Sequence, residues 1–476
     1  MPRNRVLRKT KLIATIGPAC DSLETLKAMI RAGMNVARLN FSHGTHAEHR
    51  KRLECIRQAA HELSANIATM LDTKGVEIRT GRLEGGATNL KTGEDFLLYT
   101  DDRLGNAQGV AISVPSLPET LNEGSAILLD DGVIELRVRG VEPDVIRCEI
   151  TRGGRLADRR GVNLPGTDFE RRAMSPENRR DLWFAVENEI DYIAASFVRT
   201  AADVLEIRKV LDEHGSQIPV IAKIENSEGV RNLDEIVSVA NGTMVARGDL
   251  GVEIPLQEVP MVQKKIIRTT VMNGKPVITA TQMLDSMERT PTPTRAEVSD
   301  VANAILDGTS AVMLSGETAV GAYPVEAVRT MATLALEAEG SLREYGHLQH
   351  ILSEPVNVVT EAVSQAAITM AEHLEAAAII TLTETGFISR SISKHRPDCP
   401  ILAISAWPEV VRKLAMNWGV TAMLYPGERE DEAMIGFGIQ RGCELGYIRK
   451  GDVIVATAGT GGESGSTDTI RVVTVD

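Results

Sequence analysis

Short apolar runs rich in Val, Ile and Ala recur along the chain, and eight of them alternate with stretches of helical periodicity. The runs are Lys11–Ile16, Asn35–Asn40, Ile67–Asp72, Tyr192–Phe197, Val220–Ile224, Thr243–Ala246, Val277–Thr281 and Ala311–Ser315. Helical patterns such as Ala201–His214, Gln257–Met272 and Thr294–Leu306 lie between them, with Gly215, Gly274 and Gly308 placed to serve as left-handed helix caps. Eight βα repeats predict a closed parallel (β/α)8 barrel. Polar residues end every one of these strands: Thr15, Arg38 with Asn40, Asp72, Ser196, Lys223 with Glu225, Asp249, Thr281 and Ser315. In such barrels the loops from all strands converge on that rim, which carries the active site. Solvation explains one polar strand end, whereas polar groups at all eight favour a site.

One interruption, from about Gly75 to Pro165, has an all-β pattern with runs at Phe96–Tyr99, Val110–Val114, Ile127–Leu129, Val133–Val138 and Val145–Ile150. Asp131-Gly132 between two of them is a hairpin signal. The pattern predicts a small β-barrel domain, inserted after the third strand where it can close over the rim as a lid. Beyond Gly340 the runs Ala377–Thr383, Pro400–Ser405, Val420–Leu424, Asp452–Ala458 and Thr469–Val475 predict an open α/β domain. The expected division is a barrel in residues 1–74 and 166–340, a lid in 75–165 and a C-terminal α/β domain in 341–476. In that last domain the Thr381–Gly386 turn leads into a helix start, where backbone amides bind phosphate well. The Gly-rich stretch Gly459–Gly465 is a second candidate anion loop or simply a turn.

Two stretches carry the most chemistry: Ile221-Ala222-Lys223-Ile224-Glu225-Asn226 and Met244-Val245-Ala246-Arg247-Gly248-Asp249-Leu250-Gly251. Read as strands, alternation puts Lys223 and Glu225 on one face, and likewise Arg247 and Asp249. One βα unit separates the stretches, so a parallel sheet makes them neighbours about 5 Å apart. Glu225 and Asp249 could then share a hard divalent cation beside the Lys223 ammonium, a device suited to a phosphorylated anion. Salt bridges that merely cap strands are the alternative.

Composition narrows the setting. The 476 residues carry a net charge of −13, which excludes general nucleic-acid or anionic-membrane binding, so cations for an anionic substrate must be concentrated locally. Aromatics make up only 3%, leaving the cores to Ala, Val, Ile, Leu and Met. The five cysteines have no metal-ligand or redox spacing, which indicates a reducing compartment. No apolar run is long enough to span a membrane, and a cytoplasmic protein is expected.

Longer ordered motifs then accumulate: Thr10-Lys11 with Thr15 to Ala19, Met34 to Gly44 (MNVARLNFSHG), Asp72 to Gly75 with Glu77 to Gly81, and Gly161 to Gly166 (GVNLPG). The two stretches above follow, then Gly274 to Met287 (GKPVITATQMLDSM) and Pro293 to Thr318, which ends in MLSGET. This series resembles the pyruvate kinase family over nearly the whole chain. The resemblance implies phosphoryl transfer from phosphoenolpyruvate to ADP, giving pyruvate and ATP, with Mg²⁺ (or Mn²⁺) and K⁺ as cofactors in a homotetramer. It implies Glu225 and Asp249 as Mg²⁺ ligands, Lys223 and Arg38 as the cations on the transferring phosphate, and Thr281 as a proton relay to the enolate carbon. Gly248 would let backbone amides approach the substrate carboxylate, together with Asp249. Asn40, Ser42, Asp72 and Thr73 resemble the K⁺ ligands, while Arg79 and Arg160, with Asn40 beside them, fall where the family meets nucleotide. His43 is expected to support the cation ligands structurally.

Departures from the family pattern also matter. Glu77 matches members that need K⁺, whereas K⁺-independent members carry Lys there, a fixed ammonium in place of the ion. Val76 replaces the usual Pro at the lid hinge, and Arg160 replaces the usual Lys. The phosphorylated effector of many relatives is held by a T-x-S-G-R-T run, and here the candidate site Thr383, Thr385 and Gly386 continues as Phe387-Ile388, with an added Glu384. A sugar phosphate is therefore expected to bind weakly, differently or not at all. Two rivals stay open on residues alone: another metal-dependent barrel enzyme acting on enolpyruvate-like acids, and a non-catalytic sensor using the C-terminal domain.

Overall fold

The computed structural model describes residues 8–75, 78–130, 132–166, 174–346, 358–459 and 467–476. Eight strands, Lys11–Thr15, Val36–Asn40, Ala68–Asp72, Tyr192–Ala195, Val220–Ile224, Gly242–Ala246, Val277–Ala280 and Ala311–Leu314, close into a parallel barrel in chain order. Side chains alternate as a barrel demands. Ile13, Val36, Met70, Ile221, Met244, Ile278 and Met313 fill the interior, while Leu12, Ala37, Leu71, Ala222 and Val245 pack outward against the helices. Gly215, Gly274 and Gly308 have φ of 64°, 68° and 97°, the left-handed conformation expected past a helix end.

In the insertion, a seven-stranded sheet runs from Ile78–Arg79 to Gly109–Ala111, and an isolated bridge from Thr80 to Ile112 joins its two edges into a small barrel. Its core is apolar and separate from that of the large barrel. The short strands Ile78–Arg79, Ala87–Leu90, Gly154–Ala157 and Gly161–Asn163 escape the sequence reading because they are too short to show alternation. Leu129 pairs with Ile134 across the expected hairpin, although Asp131 itself lies outside the described residues. Val76, Glu77 and most of the Gly459–Gly465 stretch also lie outside them.

The C-terminal sheet has the order Val420–Leu424, Ile401–Ser405, Ala378–Leu382, Val453–Gly459, Thr467–Thr474, parallel except for the last, antiparallel edge strand. This domain seals the N-terminal end of the barrel. Ala415 and Met416 join the interior cluster, Lys11 Nζ donates to the Val420 carbonyl at 2.6 Å, and Arg412 pairs with Asp191 at 2.7 Å. The opposite rim, where the strands end, is left to the lid.

Candidate active site

The rim side chains form a chain of alternating charge. Thr15 Oγ1 accepts from Arg38 at 2.8 Å, and Arg38 Nε meets Asp72 Oδ2 at 2.7 Å. The other Asp72 oxygen lies 3.0 Å from Lys223 Nζ, which also reaches Glu225 Oε1 at 2.9 Å and Ser196 Oγ at 2.8 Å. Strands one, two, three, four and five each contribute one or two of these groups, because neighbours in the ring are neighbours in the chain. Asp72 and Glu225 are each only 1% exposed. Two carboxylates and two cations can be buried together here only because every charge has partners of good geometry.

Electrostatics follow from that arrangement. Burial alone would push the Lys223 ammonium down, but Asp72, then Glu225 and Asp249 outweigh burial and hold its pKa above the ordinary 10.5. Burial would raise the Asp72 carboxyl, yet Arg38 and Lys223 bring it below its usual value. Asp249 therefore acts on the same ammonium as Glu225. The second oxygen of Glu225 accepts from the Phe197 amide at 2.5 Å, and Phe197 sits at a φ of 55°.

One expectation about the sixth strand is corrected. It stops at Ala246, and Arg247–Glu253 is a helix, so Arg247 and Asp249 do not share a strand face. Two residues turn a helix by about 200°, which sends the two side chains to opposite sides. Arg247 runs instead to the carbonyls of Thr281 (2.8 Å) and Ala280 (3.3 Å) and to Asp300 (2.7 Å). Gly248 N donates to Thr281 Oγ1 at 2.8 Å, and Cβ built on Gly248 would meet that same side chain at 3.6 Å.

The K⁺ candidates gather at the ends of strands two and three. Asn40 is paired in register with Asp72, Asn40 Oδ1 accepts from Ser42 N at 3.1 Å, and Thr73 Oγ1 accepts from Ser196 N at 3.1 Å. Behind them His49 stacks on Phe41 with ring centroids 4.1 Å apart and bonds the His43 carbonyl at 2.8 Å. Burial lowers the His49 pKa to about 4, so the ring is neutral. Arg79 and Arg160 line a cavity of about 380 Å³ between lid and rim, together with Asp130, Asp158, Arg159, Phe197 and Asp249. Asn40 is not part of that lining. Arg159 and Phe197 were missed in the sequence because their importance comes from a turn and a backbone amide, not from a motif.

Oxygen donors, clustered cations and a cavity under an inserted lid define a phosphoryl-transfer enzyme on a (β/α)8 scaffold. A family model described as "Pyruvate kinase, barrel domain" matches residues 7–328, and one described as "Pyruvate kinase, alpha/beta domain" matches 361–473. The chain belongs to the pyruvate kinase family, and its reaction is phosphoryl transfer from phosphoenolpyruvate to ADP, giving pyruvate and ATP. It is 48% identical to a pyruvate kinase of Geobacillus stearothermophilus over 469 residues, covering 98% of this chain and 80% of that protein. Against a pyruvate kinase of Clostridium acetobutylicum the identity is 44% over 473 residues, covering 99% and 100%. A crystal structure of a pyruvate kinase from Cryptosporidium parvum superposes with a TM-score of 0.91 at 40% identity, covering 98% of this chain and 96% of that one.

Proposed function

We propose that Lys223 and Arg38 neutralise the phosphoryl group in flight while the rim charges hold both in place. The observation that supports this most directly is the Lys223 ammonium fixed by Asp72, Glu225 and Ser196 at the mouth of the barrel. Such transfers need positioned positive charge more than covalent help. A β-phosphate oxygen of ADP attacks phosphorus, the bond from phosphorus to the enol oxygen breaks, and the enolate gains a proton at its terminal carbon. Thr281 is the proton relay, Gly248 leaves room for the substrate carboxylate, and Asp249, the residue after it, is assigned to the same substrate. Coupled assay of a Lys223→Met variant with lactate dehydrogenase tests the assignment.

Glu225 and Asp249 supply hard oxygen donors, and no group of three His, Cys, Asp or Glu able to hold a metal occurs among the described residues. A pair of carboxylates suits Mg²⁺ or Mn²⁺, which completes its shell with water and substrate phosphate. When bound, the ion polarises the phosphoryl oxygens. We place K⁺ among Asn40, Ser42, Asp72 and Thr73. With Glu77 in the chain, activity is expected to fall about tenfold or more when a bulky organic cation replaces K⁺, because no fixed ammonium substitutes for the ion. Full activity under those conditions sinks the assignment.

Nucleotide phosphates are assigned to Arg79 and Arg160. In support, Arg160 pairs with Asp130 at 3.3 Å and Arg79 donates to the Arg159 carbonyl at 3.0 Å, so both guanidiniums are oriented within one cavity facing Phe197 and Asp249.

The effector loop is read as closed to sugar phosphates. Glu384 pairs with Arg429 at 3.2 Å, that guanidinium lies 4.4 Å from the Trp407 ring centre, and Thr383 Oγ1 accepts from the Gly386 amide at 2.8 Å. The cation and the amide that would greet a phosphate are already engaged. Calorimetric titration with fructose 1,6-bisphosphate is expected to show no binding tighter than about 1 mM. A micromolar dissociation constant overturns the reading.

A homotetramer is supported by exposed apolar residues at two places: Leu256, Met261 and Val320 on the barrel, and Val358, Val359, Met370 and Val472 beside the open edge strand. No described helix is long and apolar enough to cross a membrane. The five free cysteines support a reducing, cytoplasmic setting.

A further inference from the structure

Thr281 and Gln282 both have left-handed backbones, with φ of 66° and 51°. For a β-branched residue this conformation is an outlier, and each such residue costs about 1–3 kcal/mol unless its surroundings enforce it. A single side chain does the enforcing. The Arg247 guanidinium donates to three consecutive carbonyls, Ala280 (3.3 Å), Thr281 (2.8 Å) and Gln282 (3.3 Å). Its remaining arm is fixed by Asp300 Oδ1 at 2.7 Å and Gln263 Oε1 at 3.4 Å, and the side chain is only 10% exposed. The next residue completes the grip: the Gly248 amide donates to Thr281 Oγ1, which itself donates to the Ala280 carbonyl at 2.6 Å. Residues 247–248 thus hold both the backbone and the hydroxyl of the turn that ends strand seven.

We propose that Arg247, oriented by Asp300, is a positioning residue for enolate protonation and acts through Thr281. The proposal rests on the relay role assigned to Thr281 above. In that step the hydroxyl gives its proton to the terminal enolate carbon, whose new C–H bond takes the electron pair of the carbon–carbon double bond. The oxygen recovers a proton from water. A planar fork can span three carbonyls and a carboxylate together, whereas a lysine at this position keeps the charge but has one nitrogen. With the fork gone, the strained turn relaxes toward ordinary backbone and the hydroxyl leaves its place. Phosphate capture by Arg38 and Lys223, which are held by Thr15, Asp72, Ser196 and Glu225 and not by this turn, is untouched.

The test compares Arg247→Lys, Asp300→Asn, Thr281→Ala and the double variant Arg247→Lys/Thr281→Ala. Two rates are measured: coupled turnover, and exchange of pyruvate methyl hydrogens with deuterated solvent in the presence of Mg²⁺ and ATP, followed by proton NMR. Thermal unfolding of each variant reports folding. Arg247→Lys is expected to lower methyl exchange and kcat by about 10²-fold, the scale of a misplaced catalytic group, with KM for phosphoenolpyruvate within about threefold. The double variant is expected to exchange no more slowly than Thr281→Ala alone. Should Arg247→Lys not fold, Asp300→Asn serves, with a loss of about tenfold. Normal exchange in a folded Arg247→Lys or Asp300→Asn enzyme overturns the proposal alone, as do losses that multiply in the double variant. Normal exchange in Thr281→Ala overturns the relay reading itself and the proposal with it.

Discussion

A Lys223→Met enzyme turns over at least about 10³-fold more slowly than wild type in the coupled assay, while KM for phosphoenolpyruvate changes far less. The reason is geometric. Lys223 is one of two cations at the barrel mouth bound to Asp72, and it alone also binds Glu225. Methionine has similar length and lacks the charge. Folding survives the change because neither carboxylate is stranded: Asp72 keeps Arg38 and Glu225 keeps the Phe197 amide. Some stability is still lost, up to about 3–5 kcal/mol for breaking a buried pair, so circular dichroism at the assay temperature accompanies the kinetics. The pH profile adds a check. The Lys223 pKa is raised in the folded state above 10.5, so its stabilising contribution is complete below that value and disappears only as pH climbs through the folded-state value. Wild-type kcat therefore shows no ionisation from Lys223 in the neutral range. A folded Lys223→Met variant with unchanged kcat removes the role assigned to the ammonium, and with it the reading of the rim as a phosphoryl-transfer site.

What the sequence disclosed depended on how far each regularity extended. Lys223 and Glu225 were legible as partners because the strand's alternation carries into the residue just beyond its end, and the 2.9 Å contact agrees. Arg247 and Asp249 were not, because three residues beyond a strand look the same whether the strand continues or a helix begins. The difference decides function: one side chain props the Thr281 turn and the other acts on Lys223. Asp72 was legible as a strand end and a K⁺ candidate, but its place between Arg38 and Lys223 needs strands two to five to be laid side by side. The lid was visible as a change of period, yet its closure depends on the bridge from Thr80 to Ile112, which joins the expected Val110–Val114 run to a segment at Ile78–Arg79 too short to show alternation. The left-handed turn at Thr281 leaves no trace in composition, since Ala280-Thr281-Gln282 carries neither Gly nor Asn.

Glu225→Gln separates metal binding from phosphate neutralisation. The substitution preserves size and can keep an oxygen toward the Phe197 amide, but it removes one of the two anionic donors assigned to the divalent ion. Loss of a charged oxygen ligand is expected to raise the Mg²⁺ concentration for half-maximal activity by about 10–100-fold or more and to lower kcat at saturating Mg²⁺ by about 10²-fold. Lys223 loses one of the carboxylates that hold its pKa up yet keeps Asp72 at 3.0 Å, so it stays an ammonium at neutral pH. The kinetic signature therefore differs from that of Lys223→Met, in which the Mg²⁺ requirement stays near normal while kcat collapses. Binding of Mn²⁺ in the presence of phosphoenolpyruvate, followed by electron paramagnetic resonance, reports the same loss without turnover. If Glu225→Gln binds Mn²⁺ as tightly as wild type, Glu225 is a partner of Lys223 and Phe197 only, and the ion must be held from the Asp249 side of the mouth.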